Sequence, residues 1–386
     1  MRLESIEYTE HRGSPHEWSL QGLELGPLNL IVGKNATGKT KALNVIHSLA
    51  RLLTGKSKPS FFAGYCDVRF DHNGQALRYI LGYGREKFTQ EEFYRGDEKL
   101  LERGKGGIGK LYHEREGRAL DFQTPEDELA AVVRQDSLQH GFLRPLSDWA
   151  NRLFLFRFGN RMGKDPLCLP SNGATDGDLS TRDDIVEVFH IGQEEYPQVF
   201  EASIREDMGA IGYSLDQIGL VRREPVMVGR YLPAHAYALW VKEKDLTAST
   251  LQFDMSSGMF RALSILIHLE YALLSGRPSC ILIDDIGEGL DFDRSCALIE
   301  LLMAKATRSQ VQLVMSTNDR FVMNKVPLKA WSVLQRQGGT VRVRNYQNSR
   351  AIFDEFEFTG LSNFDFLATD FVNEEAAIHE EAGGVR

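Results

Sequence analysis

Residues 28–46, LNLIVGKNATGKTKALNVI, constrain this chain more than any other stretch. Leu28, Leu30, Ile31 and Val32 form an apolar run of strand length. Gly33, Asn35, Gly38, Lys39 and Thr40 form a turn, and Ala42, Leu43, Val45, Ile46 and Leu49 then recur at helical spacing. Strand, glycine-rich turn and helix in that order make a P-loop. Glycines let consecutive backbone N–H groups point into one concavity, and the helix N-terminus behind them adds positive potential. Lys39 is placed to reach the β- and γ-phosphates of a nucleoside triphosphate, and the Thr40 hydroxyl to ligate Mg2+. The whole cradle runs through Gly33, Lys34, Asn35, Ala36, Thr37, Gly38, Lys39, Thr40 and Lys41.

With 386 residues, 42% of them hydrophobic, the chain has enough apolar surface for a sizeable core and length for two or three domains. Its net charge of −9 gives no global attraction to a phosphate backbone, so any nucleic-acid contact requires a local basic patch or a partner. The four cysteines, Cys66, Cys168, Cys280 and Cys296, form no CxxC pair, which favours thiols in a reducing compartment, by default the cytoplasm. Charges in residues 1–10 argue against a secretory leader. No run approaches the length of a membrane span, so no membrane contact is expected.

Along the chain, alternating segments at 2–8 and 18–25 predict an antiparallel flap ahead of the P-loop strand, whose helix runs to about Leu53. Asn73-Gly74 predicts a hairpin between 68–70 and 76–83. The glycine-rich run 103–110 reads as a solvated loop or hairpin tip, because no strand and helix frame it as a second phosphate cradle. Thr124-Pro125-Glu126-Asp127 reads as the start of a helix reaching Val133. A second helix is expected at 143–153, a strand at 153–158, a long loop at 159–180 and a helical stretch at 183–208. No heptads are sustained there, so no long coiled-coil arm is expected. Isolated His190, His235 and His268 lack a second ligand at metal spacing. Arg157, Arg161 and Lys164 read as a solvated loop or as the wall of a phosphate path.

A second cluster of signals follows. Asp254-Met255-Ser256-Ser257-Gly258 opens an amphipathic helix, and Cys280 to Asp285 is an apolar strand ending in two acids, which a parallel sheet would deliver to its C-terminal edge. Another buried strand, 311–316, runs into Ser316-Thr317-Asn318. A hairpin around Gly338-Gly339 closes the pattern, and an acidic tail begins at Asn373.

The order P-loop, Ser-Ser-Gly helix, Asp-Asp strand, Asp291 and Ser-Thr-Asn resembles the ABC-type ATPases, in the RecF/SMC/Rad50-like and OLD-like branch. That branch includes the AAA15/AAA_21-type ATP-binding proteins of bacterial defence and DNA-maintenance systems. The resemblance covers about 1–83 and 237–346. It implies an α/β P-loop NTPase fold of ABC-ATPase type, with a mixed sheet, an antiparallel β flap and an inserted, mostly helical region. Four segments are expected: 1–83 as the N-terminal lobe, 84–236 as the insertion, 237–346 as the C-terminal lobe and 347–386 as a tail. By the same resemblance Asp284 is the Walker B acid that holds Mg2+. Ser256, Ser257 and Gly258 are the signature that binds the γ-phosphate of ATP held by the opposite subunit, and Asp291 belongs to the D-loop that couples two sites.

Two positions depart from the pattern. Asp285 stands in place of the catalytic glutamate, one methylene shorter, so its reach falls by roughly 1 Å, enough to cost on the order of a hundredfold in rate. Glu288 is a fallback base at less suitable spacing. Asn318 stands in place of the switch histidine; its amide donates a hydrogen bond but carries no charge. With Lys39, these are the expected catalytic residues. The resemblance thus implies a slow ATPase whose cofactors are ATP and Mg2+ and whose partners are a second copy of the chain, a separate effector protein and, as a candidate, DNA. About forty residues follow the last predicted strand, too few for a nuclease domain in cis. A nucleotide-locked scaffold and the ATPase subunit of a transporter stand as alternatives.

Overall fold

The computed structural model describes residues 1–157, 185–228, 232–276, 280–309 and 311–372, with backbone alone over 223–228 and 232–236. The N-terminal part runs β1 (Arg2–Glu10), β2 (Trp18–Glu24), β3 (Leu28–Val32), α1 (Lys39–Leu53), β4 (Gly64–His72), β5 (Gln75–Gly84), β6 (Lys87–Arg95), β7 (Glu98–Arg103), β8 (Ile108–His113) and β9 (Arg118–Gln123). Short helices α2 (Ala130–Val133) and α3 (Arg144–Ala150) lead into β10 (Leu153–Arg157). Helices α4 (Ile185–Glu195) and α5 (Val199–Ala210) and strands β11 (Leu215–Val228), β12 (Leu232–Glu243) and β13 (Thr250–Leu251) precede α6 (Ser257–Leu274). The rest is β14 (Cys280–Asp284), α7 (Phe292–Arg308), β15 (Gln312–Ser316), α8 (Arg320–Lys325), β16 (Trp331–Gln337), β17 (Thr340–Asn345), α9 (Arg350–Phe358) and α10 (Asn363–Ala368).

One sheet takes in fourteen of these strands, in the order β10-β14-β15-β3-β16-β17-β2-β1-β4-β5-β6-β7-β8-β9. The first five are parallel, which brings the C-terminal ends of β10, β14, β15 and β3 to one edge, where α/β folds place their ligands. From β16 to β17 the sheet turns antiparallel, β17 pairs parallel with β2, and the meander β1 to β9 continues it. The mixed α/β sheet with an antiparallel flap is therefore the one the sequence predicts. The final hairpin joins its parallel and antiparallel parts. The insertion at 84–236, however, is not mostly helical: over its described residues β6 to β9 form successive hairpins that extend the sheet, and β11 and β12 pair beside helices α4 and α5.

Each face of the sheet carries its own core. Ala42, Leu43, Ile46, Leu49 and Leu53 of α1 lie on one side with Ile31, Leu282 and Val314. On the other, Leu263, Ile267, Leu298 and Phe353 pack with Leu30, Ile283 and Met315. Each of the larger side chains, Ala42 apart, contributes about 1.5–3 kcal/mol, which fixes the strand ends that carry the polar site. Helix α6 is long and apolar enough to cross a membrane by length and composition, contrary to the expectation that no run is, but it is a buried core helix.

Three local expectations are corrected. Thr124 does not cap a helix: only Ala130–Val133 is helical, because the Arg103 guanidinium takes the carbonyls of Pro125 and Glu128, at 2.7 and 2.8 Å, and Lys87 and Lys58 take Glu126 and Asp127. The run 103–110 is the tip of the β7–β8 hairpin, one of its two expected readings, and begins with a buried Arg103. A Cβ at Gly107 would lie 1.8 Å from the Thr124 carbonyl oxygen, so glycine there answers a close approach. The helical stretch expected at 183–208 is, over its described residues from Ile185, two helices broken at Pro197 and Gln198, where φ reaches 69°. The region from 347 on carries α9 and α10, whose Phe353, Phe356 and Phe366 are fully buried. The loop 159–180, Arg161, Lys164, Cys168 and the acidic tail from Asn373 lie outside the described residues, as does the His235 side chain.

Candidate nucleotide site

At the parallel edge the chain brings together residues far apart in sequence. Thr40, in the first turn of α1, donates its hydroxyl to Asp284 Oδ1 at 3.1 Å, and Ser316, the last residue of β15, donates to the same oxygen at 2.6 Å. The Asp285 N–H in turn donates to Ser316 Oγ at 3.0 Å. Asp284 is thus buried and oriented by two hydroxyls, one from the P-loop helix and one from the neighbouring strand. Two hydroxyls and a carboxylate make a hard oxygen donor set, which fits Mg2+: Thr40 and Asp284 would hold it, and bound there it would neutralise phosphate charge.

The P-loop wraps Lys39. Its ammonium donates to the Gly33 carbonyl at 2.9 Å and the Lys34 carbonyl at 3.4 Å, and the residue is 7% exposed. Burial lowers the pKa of this lysine, while the Asp285 and Asp284 carboxylates raise it. Thr37 closes the loop through its N–H and hydroxyl to the Lys34 carbonyl. Ala36 sits at φ 64°, a left-handed conformation that glycine adopts more readily, while Gly38 has φ 107° ahead of α1. Asn35 is exposed. Two lysines point away from the phosphate cradle: Lys34 pairs with Asp370 at 3.1 Å, and Lys41 pairs with Glu10 over the Trp18 ring.

Asp285 follows β14 with φ 55°. Burial, then the charges of Asp284 and Glu288, raise its carboxyl pKa, with Lys39 acting the other way. Asn318 is exposed on the loop after β15, which Thr317 ties back through its hydroxyl to the Ile286 carbonyl at 3.0 Å. Glu288 is exposed and offers its backbone carbonyl to Arg261 at 2.7 Å.

Ser256 caps α6, accepting the Met259 N–H at 3.2 Å, and Ser257 is exposed beside it. A Cβ at Gly258 would lie 2.7 Å from the Gly289 carbonyl oxygen, so this glycine lets α6 pack directly on the loop that leads to Asp291. Asp291 caps α7 through the Arg294 N–H and pairs with the Arg294 guanidinium, which stacks on Tyr213. These residues form a second surface, distinct from the contacts that join Lys39, Thr40, Asp284 and Asp285.

Sequence reading misses two supports, Arg336 and Ser316, and assigns Arg157 to a solvated loop or the wall of a phosphate path. Arg157, opposite Asp284 in the β10–β14 register, donates to Asn44 of α1 at 2.8 Å, and Arg336 donates to the Ala36 carbonyl at 3.1 Å. Ser316 was visible only as part of a motif whose attention fell on Asn318. Among the described residues no three histidine, cysteine or acidic side chains make a metal cluster. His268 packs against Phe154 and Phe156, and His190 stacks on Tyr237.

The chain is similar in fold to an SMC head bound to the C-winged helix domain of ScpA, 12% identical, covering 89% of this chain and 97% of that one with a TM-score of 0.51. It is likewise similar to an SMC head domain with an extended coiled coil bound to the C-terminal domain of ScpA, derived from Pyrococcus furiosus. That match is 10% identical, covers 92% and 99%, and has a TM-score of 0.50. No curated protein matches by sequence. Fold and motifs define a P-loop ATPase of the ABC/SMC-head type. Residues 28–324 match the family AAA_21, described as an AAA domain, putative AbiEii toxin, type IV TA system, and the chain belongs to that family.

Proposed function

We propose that this chain binds Mg·ATP in the cradle from Gly33 to Lys41, hydrolyses it slowly, and pairs head to head with a second copy around the nucleotide in the cytoplasm. The observation that carries this reading is the joined set Thr40–Asp284–Ser316–Asp285, which couples the P-loop to the strand end where water would be activated. Lys39 supplies charge to the β- and γ-phosphates, and Asp285 accepts the proton of the attacking water. Asn318 donates a hydrogen bond to the γ-phosphate. Ser256, Ser257 and Gly258 take the γ-phosphate held by the partner copy, with Asp291 coupling the two sites.

A short carboxylate and an uncharged switch residue favour an ATP-held clamp over a fast motor. Such a clamp controls a separate effector, nuclease-like, or grips DNA, and the family resemblance makes phage defence or DNA maintenance its setting. The two similar SMC heads are each bound to a ScpA domain, which supports a protein partner. A nucleotide-locked scaffold with little turnover is the second reading, favoured by the raised pKa of Asp285, which weakens it as an ionised base near its own pKa. Sedimentation of the chain carrying Asp285→Asn, with and without Mg·ATP, tests the pairing. The mass should double with ATP, and Gly258→Asp should abolish the doubling. A monomer under every condition contradicts it.

A further inference from the structure

On the face of β16 and β17 that carries the paired Gln335 and Arg342, helix α10 and the residues after it close a cavity of 610 Å3. Its lining has a definite sign. Lys34, Arg336, Arg342 and Arg344 face a single carboxylate, Asp370. None of Lys39, Thr40, Asp284 and Asp285 lines it, so this space is separate from the ATP cradle, although Lys34 and Thr37 border both.

Two further observations point to a ligand. Gln335 Nε2 is a buried donor with no hydrogen-bond partner among the described residues, a costly state for a polar group that an incoming acceptor would relieve. Asp370 Oδ2 already lies 3.1 Å from Lys34 Nζ, so the cavity holds a carboxylate where an anion's oxygen would sit. The apolar side is supplied by Phe366, Leu367 and Val372. Ligand cavities generally measure about 300–1,000 Å3, and guanidinium groups bind phosphate through paired hydrogen bonds. With one end cationic, the other apolar, and α10 across it, the space suits a free mononucleotide better than a continuous strand.

We infer that this cavity is a second, non-ATP site for a small organic phosphate of mononucleotide size, held by Arg342, Arg344 and Lys34 at the phosphate and by Gln335 and the Phe366 wall at the other end. Binding displaces Asp370 from Lys34. It reports to the P-loop directly, because the Lys34 carbonyl holds Thr37 and Lys39, and Arg336 holds the Ala36 carbonyl.

Equilibrium dialysis of AMP and, separately, GMP against the full chain saturated with ATP tests this. One further equivalent should bind, roughly tenfold or more weakly in Arg342→Gln/Arg344→Gln, and unchanged in Lys39→Ala dialysed without ATP. Asp370→Asn should tighten binding several-fold, a gain that a folding defect does not mimic. The inference is overturned by no binding beyond ATP, by binding indifferent to the arginine substitutions, by loss in Lys39→Ala, or by a preference for an oligonucleotide over both mononucleotides.

Discussion

Thr40 and Asp284, 244 positions apart in the chain, meet at 3.1 Å across the parallel edge of the sheet. If these two oxygens hold Mg2+, Thr40→Val removes a ligand and keeps the side chain's shape. Affinity for ATP measured with Mg2+ should fall roughly tenfold or more, while affinity measured in EDTA should barely move. Equal losses in both titrations would mean that the hydroxyl serves only the fold.

The carboxyl of Asp285 has a pKa raised first by burial and then by two neighbouring acids. A general base works only when ionised, so the acid limb of the turnover profile should lie above the ordinary carboxylate range. Asp285→Glu restores the missing methylene and should raise the rate at its pH optimum. An unchanged rate would remove reach as the reason for slowness.

Ala36 holds φ 64° with its carbonyl taken by Arg336. Glycine adopts that conformation without the Cβ penalty, so Ala36→Gly should stabilise the apo chain by about 1 kcal/mol, a rise of roughly 2 °C in melting temperature. A fall would show that the loop is not strained at this residue.

Glu91, fully buried, accepts the N–H groups of Ala130 and Ala131, the Tyr79 hydroxyl and Arg103, itself 2% exposed. Arg103→Ala leaves that carboxylate buried without its counter-ion and should cost about 3–5 kcal/mol in denaturant unfolding. A loss under 1 kcal/mol would mean that water reaches Glu91.

Lys305 joins α7 to Asp207 of α5, at 2.9 Å, and to Glu270 of α6, at 2.5 Å. Burial lifts the Asp207 carboxyl to about 7. Because its folded pKa exceeds its unfolded one, the folded chain binds the extra proton between about pH 4 and pH 7, and stability falls as pH rises through that window. Asp207→Asn should flatten this dependence and raise stability at pH 8 by on the order of 2 kcal/mol. An unaltered pH profile of the melting temperature would contradict the assignment.

Much of this was legible in the sequence because it rests on local chemistry. The strand–turn–helix at 28–46, the Asn73-Gly74 hairpin and the apolar run 280–284 each specify themselves through periodicity and turn residues. What escaped is non-local. The false helix start at Thr124 fails because Arg103, 21 positions earlier, captures carbonyls that a helix would use, and Arg336 reaches Ala36 from 300 positions away. Helices α9 and α10 escaped because both are short and acidic residues stand between their phenylalanines, and only the packed sheet shows that Phe353, Phe356 and Phe366 have a core to enter.

Steady-state ATP hydrolysis by the purified chain, alone and with double-stranded DNA, beside Lys39→Ala as the blank, tests the central claim most directly. The account predicts slow turnover that requires Mg2+ and vanishes in Lys39→Ala. Wild-type rates indistinguishable from that variant, with and without DNA, would contradict it and leave the nucleotide as a structural clamp alone.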